Sequence, residues 1–336
     1  MHDYSSDVRL LVTGGAGFIG SNFVRYWTAA HPDDHLVVYD LLTYAGVRES
    51  VPTEVPFVHG DIGDLDLAER TLREHEIETV VNFAAESHNS LAVLDPGLFA
   101  RTNVLGTQLL LEASRRAGVG RFHNISTCEV YGDLPLDTDE RFSERSPYRP
   151  RTPYNASKAA ADHYVRAYHE TFDLPVTITN CSNNYGPYQF PEKVIPLFIT
   201  HALDDKPLPL YASTQNRREW LHVLDHCGAI ELVLTRGSVG ETYNVGSGVE
   251  KSIDEVADAV LELTGKPESL KTIVPDRPGH DRRYLLDSTK IRTELGWSPG
   301  WDFEAGLRET VAWYTERRDW WEPLRERAPV VETAWS

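Results

Sequence analysis

Tyr154 and Lys158 stand four positions apart in Tyr154-Asn155-Ala156-Ser157-Lys158. At a helix start, that spacing puts the phenol and the ammonium on one face. A nearby ammonium favours the phenolate and draws its pKa from about 10 toward neutrality. Such a phenolate removes a hydroxyl proton while hydride leaves for a nicotinamide. Alone the pair is common by chance. Ser126-Thr127, at the end of a predicted strand, adds hydroxyls that belong with it.

The acceptor is written near the start of the chain. Leu10-Leu11-Val12-Thr13 runs into Gly14-Gly15-Ala16-Gly17-Phe18-Ile19-Gly20, a strand followed by G-x-x-G-x-x-G and a helix. Gly14, Gly17 and Gly20, with Phe18 and Ile19 between them, permit a tight turn and close approach to a pyrophosphate. Asp40 ends the second predicted strand, 20 residues beyond Gly20, where an acid holds the adenosine ribose hydroxyls. A carboxylate there repels a 2′-phosphate, so the expected cofactor is NAD and not NADP. Asp61 and Ile62, in the turn after the third strand, either border the adenine or form an ordinary turn. Ala84 and Ala85, after the fourth, either line the cofactor's path or simply pack.

These residues need a frame. Strands are expected at 9–12, 35–40, 56–59, 79–83 and 121–126, with helices at 20–30, 65–75, 96–117 and 157–171. Alternating strand and helix implies a parallel sheet covered on both faces. After Asn183 the rhythm breaks and prolines cluster, so the substrate-binding part is expected mainly there.

Composition narrows the class. No stretch approaches the roughly 18 apolar residues of a membrane helix, and the N-terminus carries no secretory pattern. Cys128, Cys181 and Cys227 lack zinc-ligand spacing and fit a reducing compartment, so no metal and a cytoplasmic location are expected. The net charge of −18 excludes a general nucleic-acid binder. An anionic substrate must then be met by locally placed arginines and backbone N–H groups.

Together the glycine motif, the strand-end hydroxyls and the Tyr–Lys pair resemble an extended short-chain dehydrogenase. Residues 40–46, 83–88, 102–107 and 129–134 are similar to the nucleotide-sugar 4,6-dehydratase family, its dTDP-glucose branch above all. The segments Cys181-Ser182-Asn183-Asn184-Tyr185-Gly186-Pro187, continuing to Lys193, and Asp276-Arg277-Pro278-Gly279-His280-Asp281-Arg282-Arg283-Tyr284 carry the most specific likeness. The resemblance implies a Rossmann-type doubly wound parallel sheet over 1–186, rejoined by about 218–242 and 284–304. A smaller, discontinuous α+β part from 187–217, 243–283 and 305–330 is expected to bind the sugar nucleotide. It also implies a homodimer, paired through the helices at 96–117 and 157–171.

By the same resemblance, Tyr154, with Lys158 and Thr127, oxidises the sugar at carbon 4. Glu129 then takes the carbon-5 proton, water leaves from carbon 6, and hydride returns to carbon 6 with NAD regenerated. Ser87, Thr127, Asn183, Lys193, Arg218 and Asn244 fall where the substrate is held. Arg218 and Arg283 suit phosphate oxygens.

Two departures keep other outcomes open. Where the family reads Ser-Thr-Asp-Glu, the chain reads Ser126-Thr127-Cys128-Glu129, so Cys128 stands in the place of the acid. A thiol with a reference pKa of about 8.5 is protonated and able to donate, though weakly. After His88 the family continues Val-Asp-Arg-Ser, and here it is Asn89-Ser90-Leu91-Ala92. The alternatives are a 5,6-dehydratase forming an exo-glycal, a 4-epimerase or decarboxylase, and an inert sensor that keeps NAD as a structural element. Retention of Glu129 speaks against simple epimerisation, and the retained Thr127, Tyr154 and Lys158 speak against the sensor.

Overall fold

The computed structural model describes residues 8–328. Residues 1–7, on which the N-terminal reading rests, and 329–330 of the expected substrate-binding part lie outside the described residues.

Short runs buried on both faces make the strands of the large sheet. β1 (Arg9–Thr13), β2 (His35–Asp40), β3 (Phe57–His59), β4 (Thr79–Asn82), β5 (Arg121–Thr127), β6 (Val176–Cys181) and β10 (Thr242–Val245) form one parallel sheet. Along β1, Leu10 and Val12 enter a core with Phe23 and Trp27, while Leu11 enters another with Leu110, Leu111 and Val165. Successive side chains point to opposite faces, so one strand feeds both layers. The strand order is β10-β6-β5-β4-β1-β2-β3. The chain leaves β1 for β2 and β3, then returns past β1 to β4. Between β1 and β4 the order reverses, and the loops at their C-terminal ends diverge into a crevice.

Helix Pro153–Phe172 begins earlier than the pattern suggests. Thr152 caps it by accepting from Asn155 N at 3.2 Å, and Pro153 occupies the first turn. Tyr154 therefore sits at the capped end. Residues 96–117 are not one α-helix as expected. Pro96–Phe99 and Thr107–Ala117 are α-helical, and Ala100–Gly106 between them is π-helical. The wider turn brings Asn103 inward: its Oδ1 accepts from Glu86 N at 2.8 Å, and its Nδ2 donates to Glu86 O and to Ser157 Oγ.

Beyond the large sheet, β7 (Asn183–Tyr185) pairs parallel with β9 (Arg217–His222), and β11 (Glu250–Ser252) pairs antiparallel with β9. β8 (Leu208–Tyr211) and β12 (Lys271–Val274) form a parallel pair. Phe198, Trp220, Val260, Tyr314 and Trp321 fill the core beneath them. Each such buried side chain contributes roughly 1.5–3 kcal/mol. No helix among the described residues is long and apolar enough to cross a membrane.

Candidate active site

A cavity of about 790 Å³ opens at the crevice, lined from one side by the exits of the large sheet and from the other by residues 181–220 and 274–280. Gly14, with φ +66°, sits so near β4 that a Cβ would lie 2.5 Å from Ala84 N. A Cβ on Gly20 would strike the Gly14 carbonyl. Only glycine fits either place, and the backbone is left bare for a ligand. Asp40 is buried at the end of β2 and accepts from Ala16 N at 2.9 Å and Leu42 N at 2.7 Å. Burial raises its carboxyl pKa, and these two bonds pull it back. Gly17, Phe18, Ile19, Asp61, Ile62, Ala84 and Ala85 line the same cavity. A bare glycine turn at a helix N-terminus, with a carboxylate at the next strand end, fits a dinucleotide with free ribose hydroxyls.

Thr127, Glu129, Tyr154 and Lys158 also line this cavity. β5 delivers Thr127 at its end, and the tight turn Cys128–Tyr131 follows, with Glu129 N donating to Thr127 Oγ1 at 3.2 Å. Lys158 Nζ donates to Ile125 O at 2.7 Å. Beneath it lies buried Asp162, which accepts from Asn124, Ser126 and Tyr148. Burial lowers the pKa of Lys158, and the Asp162 charge raises it.

The surroundings of the Tyr154 phenol work against the phenolate that the Tyr–Lys spacing leads one to expect. Burial pushes the Tyr154 pKa well up and the Glu129 carboxylate adds to it, while a hydrogen bond with Thr127 works the other way. One Lys158 N–H goes to the Ile125 carbonyl, and an ammonium has two more to donate. Glu129 is itself raised, first by burial. Arg277 opposes, Asp281 reinforces, and a hydrogen bond from Asn89 and the charge of Arg218 oppose.

The structure places three of the expected site residues away from the cavity lining. Cys128 does not line the cavity. It is buried in a cluster with Val130, Tyr131, Ala159, Tyr284 and Leu286. Burial and then Glu129 hold its thiol protonated. Asn244 is likewise interior: Nδ2 donates to Phe142 O, and Oδ1 accepts from Tyr131 Oη at 2.8 Å. Arg283 closes its fork on Glu250, with Nε and Nη2 at 2.7 and 2.9 Å from the two carboxylate oxygens. A guanidinium so engaged is not free for phosphate.

The remaining substrate candidates do converge. Ser87, Asn183, Lys193 and Arg218 line the cavity. Asn183 Oδ1 is buried there with no hydrogen-bond partner, an acceptor that a ligand would satisfy. Lys193 Nζ donates to Ser87 O at 3.0 Å. Arg218 lies over the Tyr284 ring and donates to the carbonyls of Asp281 and Arg282. Arg277, His280, Glu192 and Asn89 line the cavity too, and the sequence reading gives them no role. Arg277 and His280 lie in the same 276–284 segment as Arg283, and of its arginines it is Arg277 that lines the cavity.

The model of the GDP-mannose 4,6 dehydratase family matches residues 11–310. A dTDP-glucose 4,6-dehydratase of Streptomyces niveus is 49% identical over 327 residues, covering 95% of this chain and 96% of its own. The dTDP-glucose 4,6-dehydratase 1 of Escherichia coli K12 is 45% identical, with 96% of each chain covered. Among solved structures, the dTDP-glucose 4,6-dehydratase of Streptomyces venezuelae with NAD bound is similar at a TM-score of 0.91. It is 50% identical over 94% of this chain and 100% of its own.

Proposed function

The chain belongs to the dTDP-glucose 4,6-dehydratase family, and from that premise we propose how its residues divide the reaction. The protein is an NAD-dependent lyase that converts dTDP-glucose to a 4-keto-6-deoxy sugar nucleotide. The observation that carries this reading is the meeting of Thr127, Glu129, Tyr154 and Lys158 in one cavity with the glycine turn and Asp40.

The glycine turn would hold the pyrophosphate of NAD, and Asp40 its adenosine ribose. NAD held there would supply the acceptor for the carbon-4 hydride and its donor at carbon 6, with carbon 5 taking a proton from solvent to complete the product. Tyr154 Oη, as the phenolate that Lys158 favours, would take the carbon-4 hydroxyl proton, with Thr127 beside it. The resulting ketone acidifies carbon 5, and Glu129 removes that proton. Protonated Glu129 then delivers it to the departing carbon-6 hydroxyl, which leaves as water. A buried carboxyl with a raised pKa suits both halves of that transfer. Cys128, packed behind the turn, takes no part. Lys193 and Asn183 lie on the nucleotide-diphosphate side of the cavity.

Glu129 in the cavity favours elimination over plain epimerisation. The test is incubation with dTDP-glucose and UDP-glucose, followed by product mass and proton spectra. Loss of water with a new methyl signal supports the reading. An exocyclic methylene would replace it with 5,6-elimination, and an unchanged mass would replace it with epimerisation.

The protein is also proposed to be a homodimer. Leu105, Tyr164 and Phe172, on the π-helical turn and on Pro153–Phe172, are 53%, 43% and 49% exposed. These are the helices that the family likeness assigns to a dimer contact.

A further inference from the structure

Glu129 is held by a side chain that the sequence marks only as a departure. Asn89 Nδ2 donates to Glu129 Oε2 at 3.1 Å, and Asn89 Oδ1 accepts from the Thr152 hydroxyl at 3.0 Å. Thr152 Oγ1 in turn accepts from Asn155 N, as the cap of helix Pro153–Phe172. This chain of bonds fixes the amide's orientation. The Thr152 oxygen already receives a backbone proton, so its own proton is free for Asn89 Oδ1. The Asn89 NH₂ must then face the carboxylate, which when ionised only accepts. Asn89 itself is anchored as the first residue of the short helix Asn89–Leu94, capped by His88.

One amide therefore ties together three elements. They are the turn carrying Glu129, the helix carrying Tyr154 and Lys158, and the segment leaving β4.

We propose that Asn89 is a positioning residue for the elimination: it holds the Glu129 carboxylate in its proton-accepting form and, through Thr152, in register with Tyr154. The inference rests on the dehydratase reading above. Glu129 is a useful base only if it is ionised when the ketone forms. Arg277, Arg218 and Asp281 face it with charge. The phenols of Tyr154 and Tyr284 and the thiols of Cys128 and Cys181 surround it. Among these groups Asn89 supplies the direct side-chain hydrogen bond that favours the ionised form.

Asn89→Leu keeps the side-chain size and removes the amide. Asn89→Asp keeps the shape and sets a second carboxyl against the first. In both variants the Glu129 carboxyl, followed by carbon-13 NMR in the protein without substrate, should titrate at higher pH than in wild type. The acidic limb of the kcat profile should move up by about one pH unit. Elimination should slow by roughly tenfold to a hundredfold, with KM for dTDP-glucose little changed and reduced cofactor building up during turnover. Thr152→Ser keeps both bonds and should behave as wild type. If Asn89→Leu fails to fold, the isosteric Asn89→Asp gives the same reading. A folded variant whose Glu129 titration and acidic limb match wild type would overturn the inference while leaving the dehydratase reading intact. A wild-type protein that dehydrates no sugar nucleotide would overturn both.

Discussion

The carboxylate of Glu129 raises the pKa of the Tyr154 phenol, so the two groups proposed to act in turn oppose each other while both wait. Tyr154 must give up its proton for oxidation to begin, and an ionised Glu129 resists that. Glu129→Gln removes the charge and keeps the shape. The phenol should then ionise at lower pH, read by ultraviolet difference titration. Carbon-4 oxidation should persist, seen as reduced cofactor, while water elimination falls by at least about a hundredfold. Tyr154→Phe should do the reverse and block the first step, so that no reduced cofactor forms. A Glu129→Gln protein that still releases dehydrated product at the wild-type rate removes Glu129 from the chemistry.

Cys128 lies in an apolar cluster, so Cys128→Ala should keep elimination within a few-fold of wild type. Its cost should be one of packing, about 1 kcal/mol for the lost sulfur, read as a modest drop in Tm. A stalled enzyme that accumulates reduced cofactor would return the thiol to the mechanism.

Gly14→Ala should abolish cofactor retention. The added carbon meets the Ala84 backbone, and the φ of +66° is unfavourable for alanine. Chromatography of the nucleotide released from purified variant and wild type checks this. Equal NAD content would show that the turn tolerates the crowding.

Glu219 gives the fold a pH dependence. It is fully buried, accepts from Gly248 N and Leu286 N, and is pushed up to about 7 by burial. Its unfolded value is about 4.3. A raised folded pKa means that the folded state holds the proton more tightly. The resulting stability is complete below about pH 4.3 and fades as pH rises through about 7, by an amount on the order of 3 kcal/mol. Wild type should lose Tm across that window relative to Glu219→Gln. Parallel Tm curves would assign the titration elsewhere.

The dimer proposal predicts a light-scattering mass twice that of the chain. Phe172→Glu should shift it toward the monomer, and an unaltered dimer mass would place the interface on another face.

Much of this was legible before the structure. The unbroken apolar runs Leu10–Val12 and Val37–Tyr39 and the glycine spacing are local signals, and they point to the sheet and the cofactor turn directly. What was illegible is non-local. Arg283 looks like a phosphate ligand until Glu250 is found pairing with it, and Asn244 looks available until Tyr131 and Phe142 take its amide. Nothing in a sequence announces such partners. Asn89 was missed for the same reason: its partners Glu129 and Thr152 lie 40 and 63 positions away.

The π-helical turn at Ala100–Gly106 makes this stretch sensitive to chain length. Each residue of an α-helix turns the helix by roughly 100°. The wide turn already takes up roughly one residue more than an ordinary helix, so deleting one there would close the helix with Leu110 and Leu111 still toward the core, at the cost of the Asn103 contacts to Glu86 and Ser157. A further residue would instead swing Thr107–Ala117 by about that angle and turn both leucines out. A single-codon insertion should therefore be far more disruptive than a single-codon deletion.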